Sequence, residues 1–486
     1  MTRPDAMTEP AENLYRARTA LAHSGIGVAE GFSISAESGR TLAAGGLPGE
    51  IAAALDTFGD SPLLVRPASA NALPLPNRDR SRTLEDIRSF LRNAARIVPL
   101  CVMRLPGVRH GDFFFPHLSG EATSINPYAW NEYMDPRVGF ARFVFGLETR
   151  LDDRSGDDFS RAVALKAPLR RPETDFEEVC RYSQRKMDYI NLKNGRVESD
   201  YFVDVMKRAT DVPLHLFTTE GGSPHPATGM QPTALTFDPV LKNTDFVPVL
   251  RTALAALETG FGQPVRVRFS AEFTPDRRIS ITLTDCSPLP DLPEVQFDPK
   301  HRFLEARGAV TGSSRLVSLD HIVYVAPEEY GALPLRSRYE VARLIGNITK
   351  ALDGRLLLLG PGRWGTSSPE LGIPASFAEV SRACAIGEIV AMHKNLTPEV
   401  SMGAHILNEL IAMDTLYFAL FPNREGNSVN GELLSQAPNQ LSKWAPEAAT
   451  WSRMIKVLEV NAMLRADTLK QEVAGWIKTP DDGNIG

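Results

Sequence analysis

The segment Arg355-Leu-Leu-Leu-Leu-Gly-Pro-Gly-Arg-Trp-Gly365 constrains this chain more than any other. Four consecutive leucines are the pattern of a strand buried on both faces, as in a parallel sheet covered by helices. The run stops at a turn built from Gly360, Pro361, Gly362 and Gly365, with Arg363 and Trp364 between the glycines. A strand that ends in a glycine turn can bring backbone N–H groups against a phosphate or carboxylate. Arg363 would add a forked cationic donor and Trp364 a flat stacking face. A tight strand-to-helix turn closed by a packing tryptophan has the same spelling, so the motif names no reaction.

The surrounding pattern extends this reading. Residues 321–325 form a second strand, residues 337–352 a helix, and strand and helix alternate, which predicts an α/β C-terminal domain over 300–486. Helices are expected at 11–22, 47–58, 176–192, 246–258 and 408–420, and in the charged stretch 451–476. Thr83 is read as the cap of another helix, after a loop over 71–82. Strands are expected at 61–67, in the β-rich region 99–150, and in a hairpin of 264–269 with 279–283. The proline-rich stretch 287–299 reads as a linker and main boundary. The domains are then an N-terminal segment 1–58, a body over 59–290 and the C-terminal domain. A chain of 486 residues is long enough for two or three cores.

Composition narrows the partners. Net charge is −6 with no long basic block, which argues against a dedicated binder of nucleic acid or of an anionic membrane. A local arginine cluster still suits a small anionic substrate. The four cysteines, Cys101, Cys180, Cys286 and Cys384, lie far apart and without metal-ligand spacing, which suits a reducing compartment. Neither a signal peptide nor a membrane-spanning run is visible, so a cytoplasmic protein is expected.

Several segments together resemble one family. Leu64-Val-Arg-Pro-Ala-Ser69, Pro116-His-Leu-Ser-Gly-Glu-Ala-Thr-Ser-Ile-Asn126, residues 139–148, the hairpin over 264–289 and residues 360–374 are similar to the nucleotide-binding N-terminal region of pyruvate phosphate dikinase and phosphoenolpyruvate synthase. The likeness is greatest to relatives carrying a Gly-Pro-Gly-Arg-Trp-Gly extension, and it spans about residues 60–420. It implies an α+β chain: an ATP-grasp-like, two-lobed body, followed by the α/β domain. It also implies ATP and Mg²⁺ as cofactors, with arginines and a lysine on the phosphates.

Residue by residue, the resemblance places Arg66 on phosphate. It puts Arg266 and Arg268, which cannot ligate Mg²⁺ but could hold phosphate directly, or in a shifted register Ser270 and Glu272, where the family has an acidic pair. Glu272 and Asp285 are the remaining candidates for metal. Gly360, Gly362, Arg363, Trp364 and His405 form a possible second anion site, with His405 as acid, base or phosphate partner. Lys166 is a further phosphate candidate, or a plain surface lysine.

The departures are equally specific. The phosphohistidine segment is missing, Gly221-Gly-Ser-Pro-His225 being only a superficial echo, and the length leaves no room for a pyruvate-binding barrel. Pro67 and Ala68 replace small polar residues after Arg66. Glu148 stands where the family has a glycine, which removes backbone freedom and adds a negative charge where phosphate would approach. Two readings therefore remain. One is an ATP-dependent phosphotransferase acting on nucleotide and a small anionic substrate. The other is a catalytically silent binding or assembly module beside a protein partner or a second copy of the chain.

Overall fold

The structure, a computed structural model, describes residues 9–22, 24–67, 72–76, 80–94, 96–129, 134–152, 158–224, 231–295, 298–392, 396–401, 406–434 and 436–478. It is a mixture of helices and sheets, of α+β character. Two compact units divide the chain. Unit 1 holds residues 1–126 and 138–289; unit 2 holds 127–137 and 290–486. No described helix is long and apolar enough to cross a membrane.

Unit 1 is organised by a six-stranded sheet in the order Gly27–Val28, Ile279–Pro288, Val265–Phe273, Leu118–Thr123, Phe140–Val144, Arg161–Ala164. Its neighbours are antiparallel except the first pair. Side chains alternate across such a sheet, so each strand has an apolar and a polar face. Val265, Val267, Phe269, Ala122, Ala141 and Phe143 enter the core with the helix Phe246–Phe261. That helix buries Phe246, Val247, Leu250, Leu254, Leu257 and Phe261, each contributing about 1.5–3 kcal/mol of transfer free energy. It ends at Gly262, which takes a φ of 67°. A second sheet, Gly31–Ile34, Leu100–Arg104, Leu63–Pro67, Leu73–Leu75, carries Arg66.

Unit 2 is built on a nine-stranded sheet of described residues. Arg315–Val325, Leu356–Pro361, Ala383–Ile389 and Leu416–Leu420 are parallel neighbours, and the others are antiparallel. The four-leucine strand is central and fully buried, with the helix Leu335–Ala351 against its side of the sheet. The sheet also closes on itself. Arg302–Arg307 pairs with the last strand, Glu472–Ile477, while the continuation Val310–Thr311 pairs with Leu416–Leu420. Ala419 N donates to Ala309 O at 2.9 Å, and Ser428–Val429 pairs back onto Leu304–Glu305. Phe303, Leu319, Ile322, Leu359, Ile389, Leu420, Leu458 and Leu464 fill the interior of this barrel.

Several expectations about elements are corrected. The helix read over 176–192 ends at Arg181, and Lys186–Asn191 is a strand paired with Arg196–Tyr201. The decisive signal is Asn194-Gly195, a turn dipeptide with Gly195 at a φ of 61°. The stretch 451–476 is mainly a hairpin, Ile455–Asp467 with Glu472–Ile477, because one face of each strand lines the barrel. The helix expected over 408–420 spans Ile406–Met413; the chain reverses at Asp414, with a φ of 50°, and continues as Leu416–Leu420. The loop over 71–82 contains the strand Leu73–Leu75 and the start of the helix Arg80–Asn93, so Thr83 lies inside that helix rather than capping it.

Candidate functional site

The polar face of the unit 1 sheet carries a row of alternating charge. Arg268 sits opposite Asp285 on one side and Glu121 on the other, and Glu121 sits opposite Arg142. Arg266, two residues before Arg268, extends the same face and is exposed. This register is dictated by the apolar face beneath, since a slip of one residue would turn every charge into the core.

A short 3-10 turn, Glu148–Asp152, supplies further charges to this row. It follows Gly146, whose φ is 97° and where a Cβ would lie 2.6 Å from Asp188 O, so only glycine lets the chain pass there. Asp152 takes both arms of Arg268, at 3.1 and 3.2 Å. Arg150 pairs with Asp188 at 2.9 Å. Glu148 points the other way, toward Arg66 of the neighbouring sheet. Arg66 Nη2 donates to Glu148 Oε1 at 2.6 Å, to Oε2 at 2.7 Å and to Thr284 Oγ1 at 3.3 Å. The two side chains are each only 6% exposed. Arg66 Nε has no hydrogen-bond partner among the described residues.

The electrostatics follow from this crowding. Burial raises the Asp285 carboxyl above the usual range, and Glu148 adds to this, while Arg66, Arg266 and Arg268 pull against it. Burial opposes the charge on Arg268, but Asp152, Glu148 and Glu121 outweigh it and raise its pKa further. The arginines and carboxylates of this face thus largely neutralise one another.

Glu272 is elsewhere. It is four residues from Arg268 along its strand, hence about 13 Å from the Asp285 position. It lines a separate cavity of about 420 Å³ with Glu30, Arg104 and Thr282, where burial raises its carboxyl despite the Gly107 backbone N–H. Glu272 and Asp285 therefore do not converge on one Mg²⁺, whose ligands lie about 2.1 Å from the ion. Among the described residues no three or more His, Cys, Asp or Glu are grouped to hold a metal. The two carboxylates expected to share a metal are thus not brought together by the fold.

The glycine turn in unit 2 is also corrected. Trp364 is 1% exposed and packs in the core, so its ring offers no stacking face. The backbone N–H groups are already used: Gly362 N donates to Ile389 O, Arg363 N to Leu371 O, Trp364 N to Glu388 Oε1 and Gly365 N to Ile373 O. Gly360 packs against Ile373 and Trp364, and at Gly362 a Cβ would stand 2.2 Å from Leu371 O. Arg363 is held by Glu399 at 2.6 Å and by Val400 O at 3.0 Å. No N–H of the turn's tip is left to cradle an anion. His405, with residues 402–404, lies outside the described residues, as do Asp153, Arg154 and His225.

Two buried clusters escaped sequence reading. Glu388, fully buried in the strand Ala383–Ile389, accepts from Trp364 N, Ser401 N, Ser401 Oγ and Tyr417 OH. Burial pushes its carboxyl up to about 7 against those donors. A lone acid inside an apolar strand was its signal. In unit 1, Phe273 N donates to His117 Nδ1 at 3.0 Å. His117 Nε2 then faces His110 Nε2 at 3.2 Å, and His110 Nδ1 donates to Asp211 at 2.9 Å. Because Phe273 N donates to its Nδ1, His117 carries its proton on Nε2, toward His110. Burial, then His110, lowers His117 to about 4.

No protein-family model matches the chain, and no curated protein is found to be similar to it. Among solved structures, D-cycloserine synthetase DcsG is similar at 13% identity and a TM-score of 0.24, over 56% of this chain and 60% of that one. A likeness of that size establishes neither fold nor function.

Proposed function

We propose that unit 1 is a nucleotide-binding-type body, related to that of pyruvate phosphate dikinase and phosphoenolpyruvate synthase, that has exchanged its polyphosphate contacts for internal ion pairs. The chain works as a non-catalytic binding or assembly module. The observation that carries this reading is the buried Arg66–Glu148 pair: a carboxylate of the protein fills the place where the resemblance puts a nucleotide phosphate against Arg66. A bound phosphate would have to displace Glu148 and leave it buried beside Asp285, unpaired and repelled. The separation of Glu272 from Asp285 points the same way, since phosphoryl transfer relies on a metal bridging the phosphates.

The rival reading, an ATP-dependent phosphotransferase, is favoured by one feature. The unpartnered buried Nε of Arg66 is the kind of donor a phosphate oxygen satisfies. Thermal unfolding with Mg-ATP separates the two, because a ligand held only by the folded state raises the melting temperature. The expected result is no shift at about 1 mM nucleotide, far above the Kd of a working site. A shift that Arg66→Ala abolishes, or any Arg66-dependent consumption of ATP, would overturn the silent module and return the chain to the phosphotransferases.

A further inference from the structure

Unit 2 has a cavity that the glycine turn does not account for. It lies at the mouth of the barrel, where Arg315–Val325, Ala383–Ile389 and Leu416–Leu420 end, and has a volume of about 410 Å³. Barrel mouths and the crevice beyond the carboxyl ends of parallel strands are the two places where such sheets hold small molecules. Here they coincide.

The lining has a definite chemistry. Ile389, Leu420 and Val429 form an apolar floor that continues the barrel interior. Tyr324 is half-buried over it, and its hydroxyl makes no hydrogen bond to a described residue. Lys456 lies directly across the ladder from Tyr324, on the same face. Arg453 enters from just before the same strand, exposed and without an ion pair to any described residue. Glu328 and Glu329, at the start of Pro327–Gly331, line the same cavity, both exposed and likewise without an ion pair to any described residue. Burial raises the Tyr324 hydroxyl, and the Glu329 carboxylate adds to this, which places that acid within reach of the same space. Two cations and two acids surround one apolar floor. An anion alone would be repelled by the acids, and a cation alone by Arg453 and Lys456.

We propose that this mouth binds a small zwitterion with an apolar body, of the free amino-acid class. The carboxylate lies toward Arg453, the ammonium toward Glu328 and Glu329, and the side chain on the Ile389–Leu420 floor. The claim is independent of nucleotide binding in unit 1. Calorimetry and thermal unfolding of the full chain with L-phenylalanine and L-leucine test it, with 3-phenylpropionate and phenethylamine as analogues lacking one charge. Phenylalanine or leucine should bind, with either analogue about tenfold weaker, the loss expected for one charged hydrogen-bonding group. Arg453→Ala and Glu329→Gln alter exposed side chains, so both should keep the wild-type melting temperature while losing about tenfold in affinity. No binding of either amino acid up to about 10 mM, equal binding of an analogue lacking amine or carboxylate, or variants that bind like wild type would each overturn the proposal.

Discussion

Replacing Glu148 by alanine leaves the Arg66 guanidinium buried without the two oxygens that now hold it at 2.6 and 2.7 Å. Removing one partner of a buried ion pair generally costs about 3–5 kcal/mol, because the remaining charge is neither hydrated nor paired. The lower end applies here. Arg66 keeps its bond to Thr284, and the Asp285 carboxyl stays close enough to feel its charge. About 3 kcal/mol corresponds to a fall of roughly 6–10 °C in the melting temperature of unit 1. Two units need not melt together, so the assay is denaturant unfolding followed by hydrogen exchange, which assigns the transition to residues of unit 1. The double variant Arg66→Met, Glu148→Leu removes both charges and should recover most of the loss. Coupling between the sites, measured as a double-mutant cycle, should exceed about 1 kcal/mol. If Glu148→Ala is nearly neutral, or the double variant is as unstable as the single, the pair is not holding the two sheets of unit 1 together. The proposal that Glu148 occupies the phosphate position would then lose its support.

The two units should answer pH in opposite directions. His117 has a folded-state pKa near 4 against an ordinary 6.5, so unit 1 should lose up to about 3 kcal/mol as pH falls from 6.5 to 4, and His117→Asn should flatten that slope. Glu388 and Glu409 each have a folded-state pKa near 7 against 4.5, so unit 2 should lose stability as pH rises from 4.5 to 7, and Glu388→Gln should remove the Glu388 share of that loss, up to about 3 kcal/mol. Urea midpoints for each unit across pH 4–8 check both signs, and parallel slopes would refute the assignment. Gly362→Ala should destabilise unit 2 by more than about 2 kcal/mol, from its φ of 62° and its approach to Leu371 O; a variant within 0.5 kcal/mol of wild type by the same method would show that the turn is not tightly closed.

Local pattern predicted the elements whose burial is simple. The leucine run is a core strand, residues 246–261 are a helix with one apolar stripe, and the hairpin after Pro264 is present, longer than expected. Where period and partner disagreed, the partner won. Residues 455–467 carry charges at helical spacing, yet become a strand because both edges are needed to continue the barrel. The charged row on unit 1 was half visible: Arg266, Arg268 and Asp285 stood out, and Glu148 was marked as an acid in a glycine's place. That Glu148 meets Arg66 across 82 residues of sequence is a fact of tertiary structure that spacing does not encode. The glycine turn misled for a similar reason. Its sequence is equally suited to an anion or to self-closure, and only the acceptors Ile389, Leu371, Glu388 and Ile373 decide between them.

The pairing of Arg302–Arg307 with Glu472–Ile477 has a consequence for biogenesis. The first and last strands of the barrel are neighbours, so its closure waits on residues made about 170 positions later. During synthesis the four parallel strands emerge with one edge open, and an unpaired edge of apolar strands invites pairing with another nascent chain. A ribosome stalled before residue 472 would therefore display an aggregation-prone half-barrel, whereas unit 1, complete by Leu289, can already have folded.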